Sequence, residues 1–443
     1  MRNVKLNKLW DALHSSYWFL PGMMTLLGVG LAMTMLTLDS KVGFEDVGWI
    51  YAGGPDGARE VLSAIASSMM SVAATAFSIT IVALQLASRN FGPRLLRNFM
   101  RDTGNQIVLG TFLTTFIYSL LILRTIYGED YNLFIPHLSV TVGILLAIFS
   151  IGVLIYFIHH ASTIIQASHV LESVSNDLYK CIDRLFPEKI GYATKYPLPH
   201  YLREIPVDFD LQSYPIQSHK NGYLQLIDDD RLMKIACDHN ILINIKSRPG
   251  KFIIKGNQLV RVWPGEKVNH KLTKKIRKVF LLGKERTQEQ DVCFPILQLV
   301  EIALRAISPS VNDPFTAIYC IDRLCGGICQ LVQREFPSAY RYDEDNKLRV
   351  IAEPVSFEEV VNDAFDQIRQ NSRSQKAVTI HLLNAIAIIA TFTQNPQYQS
   401  VLRHHADMIN NGSQESLPEA QDRKDVQKTY NQVIQALAKD LCL

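Results

Sequence analysis

The chain has 443 residues, 48% hydrophobic and 20% charged, with 45 Lys/Arg against 42 Asp/Glu and a formal net charge of +3. That length allows two to three domains and a core that folds without disulfide staples, and the composition excludes disordered, collagen-like and cysteine-scaffold chains. The near balance of charge gives no electrostatic reason to expect nucleic acid as a partner.

The averages conceal a split. Residues 1–170 carry ten Lys/Arg and nine Asp/Glu, about 11% charged, whereas the remainder is about 25% charged. The pattern predicts an all-α transmembrane bundle over residues 1–160, followed by a cytoplasmic mixed α+β region, mostly helical with a small β unit. Four stretches, residues 17–38, 61–88, 105–123 and 137–158, carry no formally charged side chain. At 1.5 Å per residue, roughly 20 residues cross the hydrocarbon, so each is long enough for a transmembrane helix. The first reads as a retained span and not a cleaved signal peptide. Its apolar run is too long, and Thr37-Leu38-Asp39-Ser40-Lys41 offers no small-residue cleavage site.

Loop charges set an expected orientation. Arg2, Lys5 and Lys8 precede the first span, and Arg89, Arg94, Arg97 and Arg101 follow the second. The other two loops hold only Lys41 and Arg59, and Arg124, beside more acids than bases. Both termini are therefore expected on the cytoplasmic side. All seven cysteines (Cys181, Cys237, Cys293, Cys320, Cys325, Cys329 and Cys442) follow the fourth span, as a reducing compartment allows.

Within the second span, Ala, Ser and Thr fill twelve of the twenty positions from Val61 to Thr80. Ser67, Ser71, Ala74, Ser78 and Gln85 recur at helical spacing on one face. Such a face serves either tight helix packing or a water-lined conduit at an oligomer axis. Arg94, Arg97 and Arg101, spaced i, i+3, i+7 after Gly92-Pro93, would present an anion- or lipid-binding cluster at its cytoplasmic mouth, or serve as topology anchors. No ionisable residue sits at the centre of a span, which argues against proton- or cation-coupled transport.

Past the fourth span a helical extension is expected over residues 161–186. Ile164, Ala167, Leu171, Val174, Leu178, Cys181 and Leu185 form a heptad seam there, to be covered by this chain's own helices or by a neighbouring copy. His159, His160 and His169 read as interfacial residues. Residues 187–206 read as a linker. A small α+β unit is expected over residues 207–265, with strands near 222–227, 241–246, 251–255 and 258–263 and a helix near 230–240. No Met-Lys-Met element for biotin attachment occurs.

Residues 266–443 read as a helical cytoplasmic domain, beginning with a basic helix over 267–283. Further helices are expected near 294–306, from Asp313 or Asn312 as cap onward, and at 357–370 and 375–393, before a polar, mobile tail after Asn410 and a final short helix. Cys320, Cys325 and Cys329 lie only partly on one face and form no Cys-x-x-Cys pair, so no structural zinc site is expected. Arg305, Asp313, Asp322 and Arg323 either converge around the Ser308–Pro314 turn or serve as caps and ion pairs.

Two blocks carry a family resemblance. One runs Ala76-Phe77-Ser78-Ile79-Thr80-Ile81-Val82-Ala83-Leu84-Gln85-Leu86-Ala87-Ser88-Arg89 and continues as Phe91-Gly92-Pro93-Arg94-Leu95-Leu96-Arg97-Asn98-Phe99. The other is Arg305-Ala306-Ile307-Ser308-Pro309-Ser310-Val311-Asn312-Asp313-Pro314-Phe315-Thr316-Ala317. Together they resemble the bacterial "predicted membrane protein" family, domain of unknown function 2254. The resemblance implies a multi-pass protein of the bacterial inner (plasma) membrane, and brings no activity, cofactor or catalytic residue.

No phosphate-binding glycine loop, His-Glu-x-x-His or Gly-x-Ser-x-Gly motif occurs, so no enzyme, cofactor or metal site is expected. The expected function is an oligomeric channel or transport-like protein, partnered by the bilayer and by copies of itself. The second helix would line the path, with the small ion or ligand unidentified. The alternative is a membrane-anchored sensor or scaffold whose cytoplasmic domain binds a ligand or protein partner.

Overall fold

A backbone that leaves water must satisfy its own polar groups, and a helix does so within one segment. The computed structural model describes residues 17–41, 50–92, 102–126, 134–164, 166–186 and 205–439. Helices cover all four charge-free stretches: α1 (Phe19–Lys41), α2 (Pro55–Phe91), α3 (Thr103–Leu123) and α4 (His137–Ile164), followed by α5 (Ala167–Leu185). The chain divides into two units, Met1–Val170 and Leu171–Leu443.

In the first unit α3 is the central helix, packed against α1, α2 and α4. Small residues bring the backbones together, as expected where apolar side chains alone give helices little reason to associate. A Cβ added at Gly110 of α3 would stand 2.5 Å from Met24 Sδ, and one at Gly28 of α1 would stand 2.6 Å from Thr114 Cγ2. The hydroxyls of Thr115 and Ser150 share a buried hydrogen bond of 3.0 Å between α3 and α4. Tyr118 Oη donates to the Ser139 carbonyl at 2.9 Å. Asp39, in the last turn of α1, caps α4 by accepting the backbone N–H groups of Leu138 and Ser139 at 3.0 and 2.8 Å. There its negative charge also complements the helix dipole.

The second unit joins two sheets to a helical stack. Strands β1 (Tyr214–Gln217), β2 (Gly222–Ile227), β3 (Leu242–Ile245), β4 (Phe252–Ile253), β5 (Gln258–Trp263), β6 (Phe280–Gly283), β7 (Tyr340–Tyr342) and β8 (Leu348–Ala352) form one sheet ordered β1-β5-β3-β8-β7 and another ordered β4-β2-β6. Among the described residues only β3 and β8 pair in parallel, with Ile243 opposite Val350. Helices α6 (Asp229–His239) and α7 (His270–Arg277) cover the apolar side, where Leu224, Leu232, Ile243, Val260 and Ile276 are buried together.

The basic helix is thus shorter than expected. It ends at Arg277, burying Leu272 and Ile276 and turning Lys271, Lys274 and Lys275 to solvent, and Phe280–Gly283 is a strand paired with β2. With β7 and β8, three strands arise from the region read as purely helical.

The helical stack comprises α8 (Cys293–Ala306), α9 (Pro314–Val332), α10 (Phe357–Asn371), α11 (Lys376–Thr391), α12 (Pro396–Ser416) and α13 (Ala420–Lys439). The segment read as a mobile tail is ordered instead. Asn410 and Ser413 are buried in α12, and Val426, Val433 and Leu437 anchor α13. Among the described residues, five helices are long and apolar enough to cross a membrane, Pro314–Val332 being the fifth beside the four expected. That helix buries Ala317, Ile321, Leu324 and Ile328 and exposes Asp322 and Arg323 on its outer side.

The heptad seam is covered from within. Leu171, Val174, Leu178 and Cys181 are buried, and Leu178 packs against Gly327 of α9, where an added Cβ would meet its Cδ2 at 2.5 Å. Asp183 accepts from Gln330 Nε2 at 2.7 Å and pairs with Arg334. Burial pushes the Cys181 thiol up to about 12, so it is a core side chain and not a reactive one.

Candidate functional site

The second span divides into distinct faces. Leu62, Ala66, Met69, Ala73, Ala76, Thr80 and Ala87 are buried, a stripe at helical period that packs α2 against the bundle. Ser67, Ser71, Ala74, Ser78 and Gln85 are all exposed, on the side turned away from that packing. Among the described residues, the close approach is thus used by Ala66, Ala73 and Ala76, and the exposed small residues make no such contact within the bundle. A third strip, with Ile79, Val82 and Leu86, is exposed and apolar, as a lipid-facing surface would be.

The hydroxyls of the exposed stripe are oriented by their own helix. Ser67 Oγ donates to the Ser63 carbonyl at 2.9 Å, Ser71 to Ser67 at 2.9 Å, Thr75 to Ser71 at 2.9 Å and Ser78 to Ala74 at 2.8 Å. Each proton is directed back along the helix, which leaves the oxygen lone pairs as acceptors on the outer face. A row of such acceptors can solvate cations or hydrogen-bond donors, or accept hydrogen bonds from a facing helix. Arg94, Arg97 and Arg101 lie outside the described residues.

The remaining candidates separate. His160 Nε2 lies 2.7 Å from Asp102 Oδ2 and its ring stacks on Tyr156, with centroids 5.3 Å apart. Asp102 at the same time caps α3 through Asn105 N at 2.9 Å. Gly104 leaves room for this pair, because a Cβ there would reach His160 Nε2 at 2.7 Å. The charged residues near Ser308–Pro314 do not converge. Arg305 pairs with Glu301 at 3.3 Å, Asp322 with His381 at 2.6 Å, and Asp313 caps α9 by accepting from Thr316 N and Oγ1 at 3.1 and 2.6 Å. Cys320, Cys325 and Cys329 are buried along α9. Among the described residues, no three His, Cys, Asp or Glu side chains are grouped to hold a metal ion. The Asp102–His160 pair and the Asp39 cap escaped sequence reasoning because each joins residues from separate helices.

Across residues 14–387 the chain matches the family described as "Predicted membrane protein (DUF2254)". The chain belongs to this family. DUF2254 relatives include an uncharacterized protein of Mycobacterium bovis and one of Mycobacterium tuberculosis. Each is 31% identical over 422 residues, covering 93% of this chain and 79% of the relative. No solved structure matches. This DUF2254 member is a membrane protein with several helices long and apolar enough to cross a bilayer.

Proposed function

We propose that this protein assembles as a homo-oligomer in the bacterial inner membrane, with the hydroxyl face of α2 lining a passive path for small ions or solutes. The observation that carries this reading is the exposure of Ser67, Ser71, Ser78 and Gln85 on the side of α2 away from its own bundle. An apolar-lipid environment leaves such a row of acceptors without donors, whereas an aqueous axis or a facing helix supplies them. Both termini are proposed to be cytoplasmic, from the basic loops and from thiols confined to the second unit. In this reading Arg94, Arg97 and Arg101 surround the cytoplasmic mouth, the second unit regulates the path, and no catalysis is involved.

The test combines particle symmetry with conductance. The purified protein in detergent is expected to be a symmetric oligomer, and a disulfide is expected to link protomers in a Ser71→Cys variant. In planar bilayers, Ser71→Lys is expected to shift cation-to-anion preference by about tenfold, because a ring of charge at a narrow point dominates selectivity. A monomeric particle, or a folded wild type that passes no current, refutes the channel reading.

A further inference from the structure

The second unit contains a cavity of about 1060 Å³, just above the roughly 300–1,000 Å³ typical of small-molecule sites. It lies where the two parallel strands end. Ile245 and Lys246 line it from the carboxyl end of β3, and Ala352, Glu353 and Pro354 from that of β8. The carboxyl ends of parallel strands are where open α/β sheets characteristically hold ligands, since the connections diverge there and leave a crevice.

The wall has two chemical characters. Ile227, Met233, Ile245, Leu297 and Val350 supply an apolar side. Four guanidiniums arrive from separate segments: Arg184 near the end of α5, Arg248 after β3, Arg286 after β6 and Arg341 on β7. Three of them are anchored by carboxylates, Arg184 on Glu289 at 3.4 Å. Arg286 Nε and Nη2 hold Asp291 Oδ2 at 2.8 and 2.7 Å, and Arg248 pairs with Glu359.

Arg341 differs. Its hydrogen bonds run from Nη1 alone, to the carbonyls of Ser338 and Tyr340. Among the described residues no carboxylate lies within ion-pair distance of it, and Nε and Nη2 have no partner. A guanidinium offers five donors in a planar fork that matches a phosphate or carboxylate. Burial works against its charge, with Asp229 opposing that effect. A half-buried cation with unused donors is stabilised by an incoming oxyanion. The cavity acids are otherwise engaged or solvated: Asp363 faces the Cys293 thiol, and Asp229, Asp230 and Glu353 are exposed. Lys246 and Lys251 add exposed positive charge at the rim.

We propose that this cavity binds a nucleotide, with its phosphate on the free edge of Arg341 beside Lys246 and its ring against the Ile227, Met233 and Val350 wall. The site is separate from the α2 face and stands whether or not that face lines a path.

Equilibrium titration of the full-length protein in detergent tests this, with AMP, ATP, adenosine and inorganic phosphate as probes. AMP or ATP is expected to bind saturably with Kd below about 1 mM, and adenosine at least about tenfold more weakly, because it lacks the group that Arg341 recognises. Arg341→Gln is expected to weaken nucleotide binding about tenfold or more, the size of one charge-assisted hydrogen bond. Lys246→Glu, at an exposed side chain, is expected to weaken it several-fold without changing the unliganded melting temperature. Should Arg341→Gln fail to fold, Lys246→Glu decides the matter alone. Absence of saturable AMP and ATP binding, adenosine binding as tight as AMP, or affinity unchanged by the variants that fold overturns the proposal.

Discussion

Gly250→Ala is expected to destabilise the second unit by about 4–6 kcal/mol, a large part of the roughly 5–15 kcal/mol that holds a typical domain folded. Two effects combine. Gly250 has φ +89°, a conformation that costs a residue with a Cβ about 1–3 kcal/mol. The new Cβ would also stand 2.3 Å from Asp291 Oδ2 and 2.6 Å from its Cγ. That oxygen is the one gripped by Arg286 Nε and Nη2, and the Asp291 side chain is only 5% exposed. Burial already raises the Asp291 carboxyl above the usual range, with Arg286 pulling it back. Moving it off Arg286 leaves a buried charge without its partner, a change that costs about 3 kcal/mol or more in comparable pairs.

Urea unfolding of the full-length protein in detergent measures this, with Trp263 of β5 as a fluorophore inside the affected unit. In an Asp291→Ala background the same glycine substitution is expected to cost only the backbone part, about 1–3 kcal/mol. Equal penalties in the two backgrounds would show that the contact with Asp291 is not what Gly250 provides.

The parts of this fold that were legible in the sequence are those written along a single segment. A charge-free run of about 20 residues is a one-dimensional signal, so α1 to α4 could be read directly, as could a helix start at Asp313 or Asn312. Strands β6 and β8 were hidden because their identity depends on remote partners. Phe280–Gly283 follows a basic helical period, and only pairing with Tyr223–Ile227 makes it a strand. The segment after Asn410 looked mobile because it is polar, yet Ser413, Val426, Val433 and Leu437 are buried there. Polar composition signals solvent exposure only when the polar groups face water.

The candidate sites divide along the same line. The hydroxyl stripe of α2 follows from a 3.6-residue period and was visible as a face. Which way that face points depends on where α3 packs, and the sequence of α2 does not contain that information. The cavity was not legible at all. Arg184, Arg248, Arg286 and Arg341 are separated by roughly 40 to 65 residues each, and no local pattern marks four arginines that line one cavity only after the two sheets and the helical stack have formed.

Acidification from pH 7 to pH 5 is expected to destabilise the helical stack by about 2 kcal/mol through His405. This side chain is fully buried in α12, with Nε2 2.8 Å from Asn362 Oδ1 of α10 and Nδ1 without a partner. The amide oxygen needs a donor, so Nε2 carries the proton and the ring is neutral. Burial lowers its pKa to about 4, with Arg369 and His404 acting in the same direction and Asp366 opposing them. The folded value thus lies below the ordinary 6.5 of an unfolded chain, which therefore takes up the proton first as pH falls. His405 leaves stability intact above about pH 6.5 and withdraws it progressively down to about pH 4. Hydrogen exchange of the α12 amides in the full-length protein, compared at pH 7 and pH 5 after correction for intrinsic rates, reads this loss as about a thirtyfold fall in protection. His405→Phe keeps a ring beside Phe365 and removes the titration. Its protection is expected to be lower at pH 7, where the Asn362 hydrogen bond is lost, but nearly level between the two pH values. A pH dependence that survives this substitution would assign the effect to other groups, and would leave the buried imidazole as packing alone.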